Sequence, residues 1–379
     1  METFHLTNAQ VDPIHAAEPR RRTCSASVPH QRSVTDPKED LPMASPRRLA
    51  AVAGALAVAA TLTACGSGGS SSAGSSGGSG SITVGLITKT ETNPYFVTMK
   101  KGAQAEAAKD GVKLLTAAGA FDGDNAGQVT AVQNMIAAGV KGILITPSDP
   151  KAIAPTLDRA RQQGIVVIAL DTPPDPQNSA DALFATDNLA AGKLIGQYAK
   201  VQMAGKTPKI ATLDLTPGVD VGVQRHNGFL AGFGVAEGDP SIVCEANTGG
   251  DQAKGQTAME NCLQKAPDIN LVYTINEPAA MGAYQALKSA GKDKAVTIVT
   301  VDGSCTGISA LSQGQFVADS QQYPLKMATL GVDAIRDFAK TGKKPSGYTD
   351  TGVTLITAQT AAGIDSKDTA FGQSNCWGS

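Results

Sequence analysis

Residues 142–172 read GILITPSDPKAIAPTLDRARQQGIVVIALDT, and residues 271–303 read LVYTINEPAAMGAYQALKSAGKDKAVTIVTVDG. Both follow one plan: a short buried run, a polar turn with proline, a helical stretch, a glycine stop, a second apolar run and an aspartate. The apolar runs are too short for helices and rich in Val, Ile and Leu, as in strands covered on both faces of a parallel sheet. The two segments share little identity, so the likeness is one of architecture. It places Asp171 and Asp302 at the ends of equivalent strands in two halves of the chain.

Working outward, the same alternation extends over most of the sequence. Strands are expected at 82–88, 112–117, 142–146, 165–170, 182–185, 209–215, 241–246, 271–275 and 296–301. Helices are expected at 94–110, 128–138, 153–163, 190–203, 221–237, 252–264, 279–290 and 324–341. That is more βα units than one small sheet accommodates. It fits an α/β chain of two doubly wound parallel-sheet lobes. Ligands of such sheets bind beyond the carboxyl ends of the strands, so two facing edges make a cleft.

The N-terminal fifth has another character. Residues 43–64, MASPRRLAAVAGALAVAATLTA, join Arg47 and Arg48 to a short apolar core, a signal-peptide pattern. The core is shorter than the roughly 20 residues that span a bilayer. Leu62, Thr63, Ala64 and Cys65 resemble the lipobox of bacterial lipoproteins, which implies cleavage before Cys65 and its acylation. Residues 65–81 are then an acylated cysteine and a Gly/Ser tether with a reach of roughly 20–24 Å. Residues 1–42 are Pro-rich, charged and carry three of the four histidines. They are expected to belong to an over-extended gene model starting upstream of Met43. Export by the general or the twin-arginine route fits this segment.

Composition and motifs restrict the chemistry. The formal net charge is -2 and no basic run is present from Cys65 onward, which argues against a nucleic-acid partner. With residues 1–42 set aside, His226 is the one histidine left, so no histidine metal cluster is expected, and a catalytic triad would depend on that residue alone. His226 is expected as a solvated or hydrogen-bonded side chain at the cleft edge. AGKT at 204–207 has Lys200 where a phosphate-binding loop needs its first glycine, and GLITKTETN lacks the glycines of a dinucleotide fingerprint. No cofactor is expected. Asp171 and Asp302 could be a glycosidase pair, but neither sits in an obviously apolar segment that would raise its pKa. Ionised acceptors for hydroxyl groups are the expected role.

With Cys24 in the leader and Cys65 acylated, Cys244, Cys262, Cys305 and Cys376 remain, an even number for an oxidising compartment. Three pairings are possible. Cys244 with Cys262, and Cys305 with Cys376, are favoured: the first joins a strand end to the next helix, and the second pins the tail.

Polar and aromatic residues recur after strands in both halves: Asn93, Tyr95 and Phe96 in TETNPYF, Asp171 in LDT, Arg225 in QRHNGF, Asn276 and Glu277 in TINEP, Asp302 in TVDGS, and Gln322 in SQQYP. Singly, each is commonly a helix cap or turn residue. As a set they suit a monosaccharide, whose hydroxyls donate and accept while its C–H faces pack on rings.

These motifs, in this order, resemble the periplasmic ribose-binding protein family, the sugar-binding components of ABC importers with the type I periplasmic-binding-protein fold. The similarity runs from about residue 82 to about residue 357. It implies that Asn93 bonds a sugar hydroxyl, that Tyr95 and Phe96 sandwich the sugar ring, and that Asp171, Arg225, Asn276, Asp302 and Gln322 are ligands. Three departures stand out. Thr172 occupies the place of an arginine that ribose binders carry, Glu277 replaces a commoner aspartate, and no aromatic lies near Gly250. LDTPPDP and DGSCTG look more like a fructose-type branch. Thr172 and Glu277 complete the expected ligand set, and a hexose such as fructose, or a pentose such as ribose, is the expected substrate.

The family fold implies an N-terminal lobe of 82–186 plus 323–348 and a C-terminal lobe of 187–322 plus 349–379, joined by three crossings. The chain is therefore expected to be a non-enzymatic, monomeric lipoprotein, anchored outside the cytoplasm and delivering a sugar to an ABC permease and its ATPase. A receptor for a polyol or sugar-like signal is the nearest alternative. A sugar-modifying enzyme is another. A transcription-factor sensor core is a third, but it would need a DNA-binding headpiece where the signal and tether stand.

Overall fold

The computed structural model describes residues 81–378. The expected leader at 1–42, the signal segment, Cys65 and the Gly/Ser stretch up to residue 80 lie outside the described residues. In chain order the fold begins with β1 (Thr83–Thr88), α1 (Pro94–Asp110), β2 (Lys113–Ala118), α2 (Asn125–Ala137), β3 (Gly142–Ile145), α3 (Pro150–Gln162), β4 (Val166–Leu170), β5 (Ala182–Ala185) and α4 (Asn188–Gln202). It continues with β6 (Ile210–Asp214), α5 (Asp220–Phe233), β7 (Ile242–Asn247), α6 (Gln252–Lys265), β8 (Leu271–Thr274), α7 (Glu277–Ser289) and β9 (Thr297–Asp302). The last elements are α8 (Cys305–Ser312), β10 (Ala318–Gln321), α9 (Pro324–Thr341), β11 (Gly347–Asp350), β12 (Thr354–Thr357) and α10 (Thr369–Asn375). Among the described residues no helix is long and apolar enough to cross a membrane.

The strands form two six-stranded sheets, ordered β11-β5-β4-β3-β1-β2 and β12-β10-β9-β8-β6-β7. All pairings are parallel except β10 with β12. Each central strand is buried on both faces. GILI of β3 and VVIAL of β4 are buried throughout, which is why they read as unbroken apolar runs. Met99, Leu144, Val332 and Ile335 fill one side of the first sheet, and Val132, Ile143, Ile153 and Leu157 the other. The second sheet is likewise covered by two clusters, one around Met259, Leu287 and Leu311 and one around Ile195, Phe229 and Tyr273. The fold is the two-lobed α/β architecture expected from sequence.

The chain passes between sheets three times: after β5, after β10 and after β11. The last crossing spans residues 351–353, slightly beyond the expected break at 348, because β11 pairs with β5 as far as Asp350 opposite Ala185. After the first crossing α4 lies on α5 with little between the backbones. A Cβ added at Gly192 would stand 2.0 Å from Arg225 O, and one at Gly228 would stand 2.3 Å from Leu189 O. Both disulfides favoured by the sequence reading are formed, Cys244–Cys262 and Cys305–Cys376.

His226, on α5, bridges two carboxylates: Nδ1 is 2.9 Å from Asp214 Oδ1 and Nε2 is 2.9 Å from Glu237 Oε2. These bonds, led by that to Asp214, outweigh partial burial and raise its pKa from 6.5 to about 9. A base raised on folding stabilises fully below its unfolded pKa and loses that contribution as pH rises through the folded one. The unfolding midpoint of the ligand-free chain is therefore expected to fall between about pH 6.5 and 9, and His226→Gln to flatten that part of the profile. A thermal melt series over pH 6–10 measures it, and parallel profiles for the two proteins would refute it.

Candidate ligand-binding site

The carboxyl ends of both sheets face one cleft, and local chemistry sets each side chain there. Asn93 caps α1 by accepting from Tyr95 N at 3.0 Å, and Pro94 at the first helical position continues the turn. Asn276 caps α7 by accepting from Ala279 N at 3.1 Å, and Ser304 caps α8 by accepting from Gly307 N at 2.9 Å. The caps start helices at the cleft, so the first-turn side chains of each helix stand there too.

Asp171 and Asp302 close β4 and β9. They are the only non-glycine residues among the described residues with positive φ, at 64° and 152°. Such backbone costs about 1–3 kcal/mol per residue and persists only where neighbours over-determine it. Its occurrence at the two aspartates of the repeated segments, and nowhere else described, marks both positions as constrained.

A small cavity lies between the lobes. Its wall includes Lys89, Asn93, Tyr95, Phe96, Asp122 and Asp171 from the first lobe, with Arg225, Asn276, Asp302 and the hinge residue Gln322. Leu215, Val221 and Ile275 supply its apolar part. It adjoins a larger cleft of about 450 Å³ that shares Asn93, Asp122 and Asp302 and reaches Gly250, Glu277, Ser304 and Trp377.

One hydrogen-bonded network crosses this cavity. Tyr95 Oη lies 3.2 Å from Asp171 Oδ1 and 3.3 Å from Gln322 Oε1. Thr186 Oγ1 donates to Gln322 Oε1 at 3.0 Å, and Gln322 Nε2 donates to Asp302 Oδ1 at 2.7 Å. Arg225 Nη1 stands 3.8 Å from the same Asp302 oxygen. Its Nε donates to Asn188 Oδ1 at 2.8 Å and Nη1 to Ile275 O at 3.0 Å, which fixes the guanidinium plane. Both lobes are thus joined through Gln322, at the crossing after β10.

Burial changes the expected electrostatics. Asp302 is pushed up to about 7 by desolvation, with Arg225 opposing the shift. Glu277 is raised by burial and then by Asp319 beside it, and Tyr95 is raised well above 10 chiefly by burial. The sequence expectation that neither strand-end aspartate meets a pKa-raising environment is therefore corrected for Asp302. The chain segment around it is polar, but the packed lobes exclude water from it.

Other expectations are also revised. Thr172 is fully buried and does not line either cavity; its Oγ1 donates to Asp171 Oδ2 at 2.8 Å. Glu277 stays outside the small cavity and accepts from Gly303 N at 3.0 Å and Ser304 N at 2.9 Å. It braces the turn after β9. The rings of Tyr95 and Phe96 meet at 82°, so they do not present two parallel faces. His226 is hydrogen-bonded, as expected, yet lines neither cavity and has no hydroxyl or thiol partner to activate.

Several residues at the site escaped the sequence reading, among them Asp122, Leu215, Val221, Ile275, Lys89 and Trp377. Lys89 is buried, lines the cavity and has its Nζ 4.0 Å from Asp122 Oδ1. A lysine directly after the first strand was a readable signal. Trp377 arrives from the far end of the chain and carried none.

The family model for the periplasmic binding protein domain matches residues 84–344. The chain belongs to this family. It is 32% identical over 262 residues to the ribose import binding protein of Bacillus subtilis (strain 168), covering 69% of this chain and 83% of that protein. With the D-allose-binding periplasmic protein of Escherichia coli (strain K12) it shares 28% over 264 residues, covering 68% and 85%. A solved ABC transporter periplasmic solute binding protein from Actinobacillus succinogenes 130z, with bound D-allose, superposes with a TM-score of 0.67 at 27% identity, covering 73% of this chain and 97% of that one. The family match covers residues of both lobes and the first two crossings between them.

Proposed function

We propose that this protein is the extracytoplasmic substrate-binding component of an ABC importer, holding one monosaccharide between its lobes for a permease and its ATPase. The observation that carries this reading is the pair of conformationally constrained aspartates, Asp171 and Asp302, one per lobe, joined through Tyr95, Gln322 and Arg225 around a single cavity. Acceptor carboxylates, a fixed guanidinium and amides suit a ring bearing several hydroxyls, each both donor and acceptor. Asn93, Phe96 and Asn276 complete the contact set, and Lys89 adds a cation that can donate to a hydroxyl. Thr172 and Glu277 act by holding Asp171 and the turn after β9. The relatives are named as import and solute binding proteins, which supports binding without turnover. The relatives named for ribose and D-allose support a monosaccharide, a hexose or a pentose.

Cys65 is the acylated first residue of the exported form in this reading, and the Gly/Ser stretch is its tether. One experiment tests both statements. The full chain is expressed, extracted from cell membranes with detergent, and melted in the presence of D-ribose, D-allose, D-fructose and myo-inositol. A ligand present at 100 times its Kd stabilises the fold by about 2.7 kcal/mol. A saturable rise with one sugar, together with an N-terminal peptide beginning at acylated Cys65, is expected. No response to any pentose, hexose or polyol removes the binding assignment, and a peptide running through Ala64–Cys65 removes the anchor.

A further inference from the structure

Among the described residues lining the cleft, the second lobe contributes a single aromatic ring, and it comes from the C-terminal tail. Gly249 and Gly250, on the second-lobe wall, offer no side chain at all. The tail is tied to that lobe at several points. Cys376 is bonded to Cys305 at the start of α8, Cys305 N donates to Trp377 O at 2.9 Å, and Gly372 packs on Ile308 and Ile356. The indole nevertheless reaches beyond its own lobe. Its Nε1 stays within that lobe, donating to Asp302 O at 3.1 Å, but its ring meets Tyr95 of the first lobe edge to face at 5.4 Å. Trp377 is 4% exposed and packs with the first-lobe core that holds Tyr95, Phe96 and Met327.

We propose that Trp377 is an affinity-determining wall of the cleft and its closing latch, positioned there by the Cys305–Cys376 disulfide. A side chain rooted in one lobe and packed in the other must part from Tyr95 whenever the lobes separate. The indole touches the backbone of Asp302 and the ring of Tyr95, and so couples lobe closure to two residues of the site. In the reading of this chain as a sugar receptor, on which the ligand part of this inference rests, the closed latch covers the bound sugar and slows its escape. An edge-to-face aromatic pair with a buried indole is worth roughly 10- to 100-fold in an equilibrium of this kind.

The test uses the full chain and three variants: Trp377→Ala, Trp377→Phe, and Cys305→Ser with Cys376→Ser. D-ribose, D-allose and D-fructose are titrated calorimetrically, and dissociation is followed by stopped flow. For whichever sugar binds the wild type, Trp377→Ala is expected to weaken affinity roughly 10- to 100-fold through faster dissociation. Trp377→Phe stays within about threefold, and the double serine variant follows Trp377→Ala. Wild-type affinity in both Trp377→Ala and the double serine variant overturns the proposal; if Trp377→Ala fails to fold, the double serine variant alone decides. A sugar-free arm separates this inference from the receptor reading. Trp377 is the only tryptophan of the chain, so its fluorescence reports the latch alone. Acrylamide quenching of the ligand-free double serine variant is expected to exceed that of wild type several-fold. Equal quenching overturns the latch even if no sugar binds, whereas increased quenching without sugar binding retains it and removes only the receptor assignment.

Discussion

Replacing Arg225 with alanine is expected to lower sugar affinity roughly 10²- to 10³-fold, the range for truncating one member of a buried, hydrogen-bonded charge pair. Two losses combine. The guanidinium is held by Asn188 Oδ1 and Ile275 O, so its remaining N–H groups are oriented towards the cavity before any ligand arrives. It is also the cation nearest Asp302, whose carboxyl burial already pushes up to about 7. Without Arg225 that carboxyl rises further, and at neutral pH the site loses an ionised acceptor together with its donor. Arg225→Lys is expected to recover little, because one ammonium cannot reproduce two bonds in a fixed plane. Calorimetric titration with the sugar that stabilises the wild type measures the effect, with the ligand-free melting midpoint as the control for folding. Affinity within threefold of wild type for Arg225→Ala would remove Arg225 from the contact set.

Gly228→Ala is expected to destabilise the fold by about 3 kcal/mol, the upper part of the range for overpacking. The added Cβ would stand 2.3 Å from Leu189 O and 2.9 Å from Lys193 N, both backbone atoms that cannot rotate aside. Helices α4 and α5 would have to separate, and Gly192, Gly196 and Gly232 form equally close contacts along the same seam. For a fold of this size the melting midpoint is expected to drop by roughly 6–12 °C. Arg225 lies one helical turn from Gly228, so sugar affinity falls in the same variant. Thermal unfolding of the ligand-free chain tests this against Lys193→Ala, an exposed change on α4 expected to be neutral within about 0.5 kcal/mol. Matching midpoints would show that the seam can relax.

Much of the fold was legible locally. The nine expected strands and eight expected helices all occur, with ends shifted by a few residues. Caps such as Asn93 and Asn276 announced helix starts through their own chemistry. Two of the missed strands share a cause. Strand β10 reads ADSQ, yet all four residues are buried because β9 and β12 flank it. Strand β11, GYTD, is an exposed edge without apolar alternation, and it exists because β5 offers a free edge to pair with. Neither carries a period for a sequence pattern to detect.

The site divides in the same way. Sequence placed Asp171 and Asp302 at equivalent strand ends and collected most of the residues that the cavity brings together, because each depends on neighbours within a few positions; the cysteine pairs were favoured instead from an even count and the places of the cysteines in the expected elements, Cys305 and Cys376 being 71 positions apart. Tertiary structure decided the remainder: the buried charge state of Asp302, the diversion of Glu277 and Thr172 to bracing, the entry of Lys89, and the arrival of Trp377 across 282 positions of chain to meet Tyr95. Strand runs, caps and turns are set by backbone sterics and adjacent side chains, which the sequence records in order. Desolvation and contact between lobes are sums over atoms remote in sequence, and they take a value only once the two sheets have closed on one another.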